Sequence, residues 1–340
     1  THAQDRRLTM RTAVQTAYGA PAVVVIGDTP KPMPKPDEVL VRIIATTVTS
    51  GDSRLRAFRV PASMWLPARL FLGITKPRKT VLGSEFAGEV EAVGESVTRF
   101  RPGDRVFGMH VYDVHAEYKV VPETAAITHI PANVDFAEAA ALPFGALTAL
   151  FFVRQANIRP GQKVLVNGAS GAVGTFGVQL AKQAGAHVTA VTSAGNADLV
   201  RALGADRVID YATIDFSHSG ERYDVVMDTV DTVSMAQFER CSTPAGQLLA
   251  VNAGGGMFLR AALAPLFGKR RIVAGMATEK LADLETIRDL VAAGALRPTI
   301  DSRYPFAAIA AAHARVDSGR KRGAVVVEVA EPQPALLSAS

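Results

Sequence analysis

The residues best suited to do chemistry in this sequence form a glycine-rich run, GASGAVG, at 168–174. The run follows an apolar strand-like segment, opens an amphipathic helix and is closed by a second strand, which is the setting of a dinucleotide-binding turn. In such a turn the glycines let the backbone approach a pyrophosphate, and the first amides of the helix point at the anion. A turn that only joins a strand to a helix is the plainer alternative. The residues predicted to hold the pyrophosphate are Gly168, Ser170, Gly171, Ala172, Val173 and Gly174.

The end of the second strand indicates which cofactor this turn would prefer. An NAD-selective unit usually carries Asp or Glu there, which holds the ribose 2′-hydroxyl. Here the segment from Thr192 to Asn196 reads TSAGN, and no carboxylate appears before Asp198. Ser193 and Asn196 can donate hydrogen bonds to a 2′-phosphate. The sequence therefore predicts NADPH, although this turn carries no Arg or Lys.

Alternating strands and helices must position these residues. Predicted strands at 163–167, 187–192, 207–210, 223–228, 246–251 and 271–275 alternate with helical segments from 163 onward. This pattern is typical of a parallel sheet with helices on both faces. Residues 10–125 instead predict a mostly β domain, with strands at 39–45, 88–93, 105–107 and 117–121. After helices at 281–293 and 306–317, a final strand at 324–329 suggests that the chain returns to complete the first domain.

Length and composition exclude several other classes of protein. A chain of 340 residues exceeds one ordinary core, so two domains are expected. The net charge of +5 comes from scattered basic patches, and no nucleic-acid recognition motif is present. The apolar run 136–153 contains Glu138 and Pro143, which favours a buried helix over stable membrane insertion. No secretory signal is recognised in residues 1–10, so we expect a soluble cytoplasmic protein. The single Cys241 predicts a buried, inert thiol.

Four motifs together resemble the medium-chain dehydrogenase/reductase superfamily, quinone oxidoreductase branch. They are ASGAVG in the glycine turn, RALGADRVIDY at 201–211, GSEFAG at 83–88 and RPGDRVFG at 101–108. The resemblance extends from about residue 10 to 329. It implies an α/β fold in which a Rossmann NADP-binding domain, 126–276, is inserted in a GroES-like, mostly β catalytic domain formed by 1–125 and 277–340. The active site would lie in the cleft between them.

The resemblance also shows what this chain lacks. Alcohol dehydrogenases of the superfamily bind a catalytic zinc through Cys, His and a later Cys or Asp. The matching residues here are Thr49, Ser84 and Phe144, none of which is a normal zinc ligand. The four-cysteine structural lobe is absent as well. We therefore predict no metal, and we expect His110, His115 and His129 to be ordinary surface or core residues.

Without a Lewis acid, a simple alcohol is a poor hydride donor at neutral pH, because its alkoxide must be stabilised as it forms. No tyrosine is followed four residues later by lysine, so a Tyr/Lys acid/base pair is also missing. Such a site suits small acceptors that take hydride readily, namely quinones or enones. A double-bond reductase acting on enones or enoyl thioesters is the nearest alternative. An NADPH-binding sensor or structural protein with little turnover is a third.

The resemblance assigns further residues to the site. It places Thr49, Asp52 and Thr148 near the nicotinamide. Packing is the plainer role for the two threonines, and Asp52 is better suited to orient a loop than to transfer a proton. Many relatives have a tyrosine at the position of Arg54, so protonation by tyrosine is in doubt here. Glu85 is expected to form a structural ion pair. The remaining predicted cofactor contacts are Tyr211, Thr229, Val251, Asn252, Lys321, Arg322 and Gly323.

Two of these contacts complete the prediction for the 2′-phosphate. Lys321 and Arg322, in a loop that folds over the cofactor in similar reductases, would supply the cations that the Ser193 turn lacks; a solvated basic turn is the alternative. Tyr211 would lie on the 2′-phosphate side of the adenosine or serve only as a rim aromatic.

The segment 55–81 leaves several interpretations open. It combines apolar and aromatic residues with basic ones. It could form a lid or acceptor pocket, cover the β core, or make a subunit contact in a homodimer. A membrane-surface role is a lesser option, because Pro61 and Pro67 interrupt any long amphipathic helix.

Overall fold

The computed structural model describes residues 8–61, 64–253, 255–263 and 270–332. Within them, a six-stranded parallel sheet forms the centre of the second half of the chain, in the order β10-β9-β8-β11-β12-β13. Its strands are β8 (Lys163–Asn167), β9 (His187–Thr192), β10 (Arg207–Asp210), β11 (Tyr223–Asp228), β12 (Ser242–Ala250) and β13 (Arg271–Ala274). The order reverses between β8 and β11, which is the switch point where dinucleotide folds bind their ligand. The predicted α/β fold is confirmed.

The other half of the chain builds a mixed sheet in the order β14-β15-β3-β4-β5-β7, and β6 also pairs with β3. Its strands are β3 (Glu38–Val48), β4 (Glu85–Val93), β5 (Arg105–Met109), β6 (Tyr118–Pro122), β7 (Ile127–His129), β14 (Ile300–Pro305) and β15 (Ala324–Glu328). The closing strand β15 runs antiparallel to β3, with Val326 opposite Thr47. The chain thus returns to its first sheet, as the sequence suggested, whereas the exact domain boundaries stay predictions.

An N-terminal hairpin was not foreseen from the sequence. It pairs β1 (Thr9–Gln15) with β2 (Val24–Pro30). Only part of each strand is buried, and β2 exposes Val25. A half-buried strand of this kind carries a weaker apolar signal than the buried strands of the parallel sheet.

The helices connect and cover the two sheets. They are α1 (Ser50–Arg56), α2 (Trp65–Leu72), α3 (Phe136–Ala140), α4 (Pro143–Ala156), α5 (Ala172–Gln183), α6 (Ala197–Ala202), α7 (Met235–Cys241), α8 (Gly255–Leu263), α9 (Leu281–Ala292) and α10 (Ile309–Asp317). The predicted single helix at 136–153 is two helices. Pro143 lacks a backbone N–H, so it begins a new helix as its first residue.

Helices α3 and α4 hold the two sheets in one continuous core. Buried Ile44 and Phe107 of the first sheet and Val164 of the second belong to the same hydrophobic cluster, together with Leu142 and Phe152 from this helical region. Because protein interiors pack densely, a shared core fixes how the two sheets sit relative to each other. The cleft between them is therefore built by residues far apart in sequence.

Candidate active site

A cleft of about 440 Å³ lies between the two sheets. Its walls come from the start of α1, from α4, from the glycine turn, from the ends of β11 and β12 and from the loop before β15. The predicted site residues that line it are Thr148, Gly171, Ala172, Val173, Thr229, Val251, Asn252 and Lys321. Residues from both halves of the chain thus meet where the strand order of the parallel sheet reverses, between β8 and β11.

The glycine turn lets a ligand approach its backbone closely. Gly168 has φ +77°, and a Cβ on Gly174 would overlap the carbonyl oxygen of Gly168. Gly171 caps α5 without a side chain, so the first amides of that helix face the cleft with no side-chain cap. Amides of this kind at a helix N-terminus favour an anion. The residues present therefore fit a dinucleotide pyrophosphate.

Four polar side chains form one hydrogen-bonded corner beside this turn. Thr192 Oγ1 donates to Ser170 Oγ at 2.9 Å, while Asn196 Nδ2 donates to Ser170 Oγ at 3.0 Å and to Ser193 Oγ at 3.1 Å. Tyr211 follows β10 next to this corner, with its backbone N–H donating to the Thr192 carbonyl at 3.2 Å and its side chain 64% exposed. The structure thus brings Ser193, Asn196 and Tyr211, three of the predicted 2′-phosphate residues, together.

The loop at 318–323 joins the two halves of the site. The Gly323 N–H donates to the Ser170 carbonyl at 2.8 Å, so the loop is tied to the glycine turn by backbone. Arg322 lies beside the polar corner, since a Cβ on Gly195 would be 3.8 Å from Arg322 Nη2. Lys321 instead points into the cleft, where its Nζ donates to the Gly323 carbonyl at 2.7 Å. Only one of the two predicted cations therefore sits at the Ser193 turn.

A contact across the cleft was not foreseen. Asn252, just after β12, donates through Nδ2 to the Thr229 carbonyl at 2.6 Å, and Arg54 Nη1 donates to Asn252 Oδ1 at 3.3 Å. Arg54 belongs to α1 of the β-rich half, so this bond connects the two walls. The sequence signal was the arginine found where relatives carry tyrosine. Arg54 places its guanidinium at the cleft, where this group can meet an oxygen of a substrate or cofactor.

Thr49 and Asp52 form the cap of α1. Asp52 Oδ2 accepts from the Thr49 N–H at 2.8 Å and from its hydroxyl at 2.6 Å, and the Asp52 N–H donates to Thr49 Oγ1 at 3.1 Å. Asp52 Oδ1 accepts from the Gly83 N–H at 3.0 Å. This reciprocal pattern is a capping box. Both side chains are buried, and the carboxylate orients two loops.

Thr148 lies on α4 with its side chain at the cleft. Its hydroxyl donates to the Phe144 carbonyl one turn earlier at 2.6 Å. This bond uses the hydroxyl hydrogen, so the oxygen's lone pairs are what Thr148 presents to a ligand. Its predicted role near the nicotinamide remains a prediction.

The positions that match zinc ligands do not fit a metal. Thr49 Oγ1 is engaged with Asp52, Phe144 has no donor in its side chain, and Ser84 is a neutral hydroxyl. Among the described residues, no group of three or more His, Cys, Asp or Glu side chains is arranged to hold a metal ion.

Glu85 lies fully buried behind this position. Its Oε2 accepts from the Phe144 N–H at 2.6 Å and its Oε1 accepts from the Thr47 hydroxyl. Burial raises the pKa of the Glu85 carboxyl to about 7, with a smaller contribution from the nearby Asp52. Burial also lowers the pKa of the Lys321 amine to about 8, opposed by the charges of Glu85 and Asp301. In the described part of the chain, Glu85 forms no ion pair within 4 Å, in contrast to the sequence-based expectation.

Several predicted bystanders do not line the cleft. His115 is buried and its Nε2 lies 2.9 Å from the Thr47 carbonyl, whereas His129 is exposed beside Asp104. Cys241 is buried on α7, and burial raises the pKa of its thiol to about 11, which keeps it protonated and unreactive. Over the ranges that the structure describes, no helix has the length and apolar character needed to cross a bilayer.

Fold and site together define an oxidoreductase of the kind that binds a nicotinamide cofactor. Two family models match the chain: an alcohol dehydrogenase GroES-like domain at 35–163 and a zinc-binding dehydrogenase at 203–327. The chain belongs to the medium-chain dehydrogenase/reductase superfamily, quinone oxidoreductase branch, as the motifs indicated.

Three individual proteins illustrate the similarity of this chain to the family. A chloroplastic quinone-oxidoreductase homolog from Spinacia oleracea is 34% identical over 87% of this chain and 91% of its own length. A 2-methylene-furan-3-one reductase from Solanum lycopersicum is 30% identical over 92% of this chain and 77% of its own. The solved quinone oxidoreductase from Coxiella burnetii superposes with a TM-score of 0.83 at 27% identity, covering 95% of this chain and 100% of that one.

Proposed function

We propose that this protein is a zinc-independent, NADPH-dependent reductase that transfers hydride to a quinone or a similar electron-poor acceptor. The observation that carries the proposal is the set of residues at the zinc-ligand positions, Thr49, Ser84 and Phe144, in a chain that keeps the complete glycine turn. The chain thus keeps the glycine turn that a cofactor needs and has no normal zinc ligand at the three matching positions. Quinones and enones accept hydride without a Lewis acid.

The chain's own residues would divide the work of holding the cofactor. When bound, NADPH supplies the hydride. The amides at the start of α5 and the Lys321 amine would meet the pyrophosphate, while Ser193, Asn196 and Arg322 would meet the 2′-phosphate. Charge-assisted hydrogen bonds to a phosphate are stronger than neutral ones, so Arg322 is the main source of selectivity over NADH.

The acceptor would occupy the remaining part of the cleft, between α1 and α4. Arg54 and Thr148 are polar side chains there, with Ser50 at the start of α1, among apolar neighbours such as Leu147 and Met109. Arg54 would stabilise negative charge that develops on an acceptor oxygen. Asp52 would act indirectly, by fixing α1 through its bonds to Thr49 and Gly83. Water or a weak local acid would supply the proton.

A double-bond reductase is the second candidate, and it is favoured by the similarity to the 2-methylene-furan-3-one reductase. Steady-state kcat/KM for a naphthoquinone and for an alkyl enone, both with NADPH, separates the two. The proposal expects the quinone to be the better acceptor. A higher value for the enone would assign the protein to the alternative, and turnover with neither acceptor despite tight NADPH binding would favour a sensing role.

A further inference from the structure

Helix α2, Trp65–Leu72, presents large apolar side chains to solvent. Together with the residues that flank it, it forms an apolar face whose members are 47% to 77% exposed: Met64, Trp65, Leu66, Leu70, Phe71 and Ile74. Single exposed apolar residues are normal on a protein surface, but six large ones within residues 64–74 mark an interaction site.

Arg69 points inward from α2, beside the partly buried Leu72. The guanidinium carbon of Arg69 lies 3.8 Å from the ring centre of Phe58 and 4.8 Å from that of Tyr18, and Arg69 Nη1 donates to the Ile74 carbonyl at 3.0 Å. A helix that covers a core has the opposite arrangement, with apolar residues inward and charges outward. The fold therefore holds α2 through the stacked arginine and the edges of Trp65 and Leu72, and no residue of α2 is buried. Covering the β core, one of the interpretations left open by the sequence, does not explain this helix.

The apolar face lies within a strongly basic segment. Residues 53–84 contain seven Lys and Arg and no Asp or Glu. Four of the seven are engaged within the fold, namely Arg54, Arg56, Arg59 and Arg69, which leaves Lys76, Arg78 and Lys79 near the apolar face. Lys76 and Arg78 are exposed and have no ion pair with any residue that the structure describes, and Lys79 has only Asp113 at 3.7 Å. Two copies meeting through this face would bring like charges together. An anionic partner with an apolar layer is the complementary one.

We propose that the face formed by α2 and its flanking residues docks on the surface of an anionic phospholipid bilayer. The apolar side chains would enter the boundary between headgroups and acyl chains, and the basic residues would meet the lipid phosphates. Nucleic acid would satisfy the charges but not the exposed aromatic and aliphatic groups. None of the α2 residues lines the cofactor cleft, so the inference does not depend on which acceptor is reduced.

The chain carries its own probe for this contact, because Trp65 is its one tryptophan. The intact protein is titrated with phosphatidylglycerol vesicles and, in parallel, with phosphatidylcholine vesicles. We expect a blue shift of tryptophan emission and co-sedimentation with the anionic vesicles. The absence of both effects would overturn the proposal, as would a blue shift that grows with protein concentration without lipid, which would indicate a second copy instead.

Variants that retain Trp65 locate the contact. Leu66→Ser with Phe71→Ser should lower the partition coefficient by about tenfold for each side chain removed. Lys76→Gln with Arg78→Gln should lower it by about fivefold per charge, on anionic vesicles only. Met33→Ser, at an 86% exposed residue outside α2, is the matched control and should change nothing. Thermal unfolding followed by circular dichroism verifies that each variant is folded. A loss with Met33→Ser equal to that of the α2 variants would contradict the assignment.

Discussion

Lys321 and Arg322 are neighbours in sequence whose side chains lie on opposite sides of one loop. Lys321 is at the cleft near the start of α5, and Arg322 is at the polar corner beside Gly195. Sequence alone could identify the basic loop, but it could not separate the two cations, because the direction of each side chain depends on the backbone bond between Gly323 and Ser170.

Their separation predicts two different effects on cofactor binding. Arg322→Ala should weaken NADPH binding by about tenfold to a hundredfold, the value of one charge-assisted hydrogen bond, and leave NADH unaffected. Lys321→Met should weaken both cofactors equally, because both carry the pyrophosphate. Ser193→Asp should erase the preference for NADPH. Titration of each variant with both cofactors measures this.

Arg320→Ala is the matched control, since Arg320 is an exposed cation in the same loop. Equal affinities for NADPH and NADH in the wild type would refute the 2′-phosphate assignment. An unchanged Arg322→Ala would restrict that site to Ser193 and Asn196.

The buried carboxyl of Glu85 should make the free energy of unfolding depend on pH. Burial raises its folded pKa to about 7, above the value of 4.5 for the unfolded chain. Between those values the folded state keeps a proton that the unfolded state has lost, so stability falls as pH rises from about 4.5 to 7, by up to about 3 kcal/mol. Glu85→Gln should remove this loss and be stabilised relative to wild type at pH 8 but not at pH 4.5. Urea unfolding at the two pH values decides it. An identical pH dependence in both proteins would contradict the buried carboxyl as its source.

At the scale of elements, the strand–turn–helix unit at β8 and α5 is the part that the sequence predicts best. The strands at 163–167 and 187–192 match the structure at both ends. Buried parallel strands are continuous apolar runs, and glycines mark the turn between them, so the signal is local. The short helices α1 and α2 and the hairpin β1–β2 were missed. The capping box of Thr49 and Asp52 is a local signal that could have marked the start of α1, whereas α2 depends on the stacking of Arg69 on Phe58.

The close packing of α5 on the turn predicts a specific intolerance. A methyl group at Gly174 would overlap the Gly168 carbonyl, which is backbone and cannot rotate away. Gly174→Ala should cost about 1–3 kcal/mol of stability and reduce affinity for both nicotinamide cofactors. Gly256→Ala is the control, because a Cβ there meets nothing within 4 Å and alanine favours a helix. Thermal unfolding and cofactor titration test the pair. A Gly174→Ala variant with wild-type affinity would show that the turn has room to adjust.

At the scale of the whole molecule, the site exists because two sheets share one core. The cleft needs α1 and the 318–323 loop from one half and the glycine turn from the other, and the Arg54–Asn252 bond crosses it. The family motifs in the sequence predicted that the two halves meet at a cleft. The sequence could not predict the bond between Arg54 and Asn252, because no local pattern relates α1 to the residue after β12.

The same arrangement predicts the metal content of the whole protein. Because Thr49, Ser84 and Phe144 stand where zinc ligands would be, the purified protein should contain no stoichiometric zinc and should keep its activity in a chelator. Elemental analysis before and after dialysis measures this. One tightly held zinc per chain, with activity lost on its removal, would contradict the metal-free mechanism.

The most direct test of metal-free hydride transfer to an activated acceptor is a comparison of kcat/KM in the two directions. NADPH-dependent reduction of a naphthoquinone is measured against NADP⁺-dependent oxidation of butan-1-ol, at neutral pH and with the same enzyme preparation. The zinc-ligand positions hold Thr49, Ser84 and Phe144, and no Tyr in the sequence is followed four residues later by Lys. We therefore predict that quinone reduction exceeds alcohol oxidation by about a thousandfold or more, equivalent to at least ~4 kcal/mol of transition-state stabilisation. Efficient oxidation of the alcohol, at a rate comparable to quinone reduction, would contradict the account.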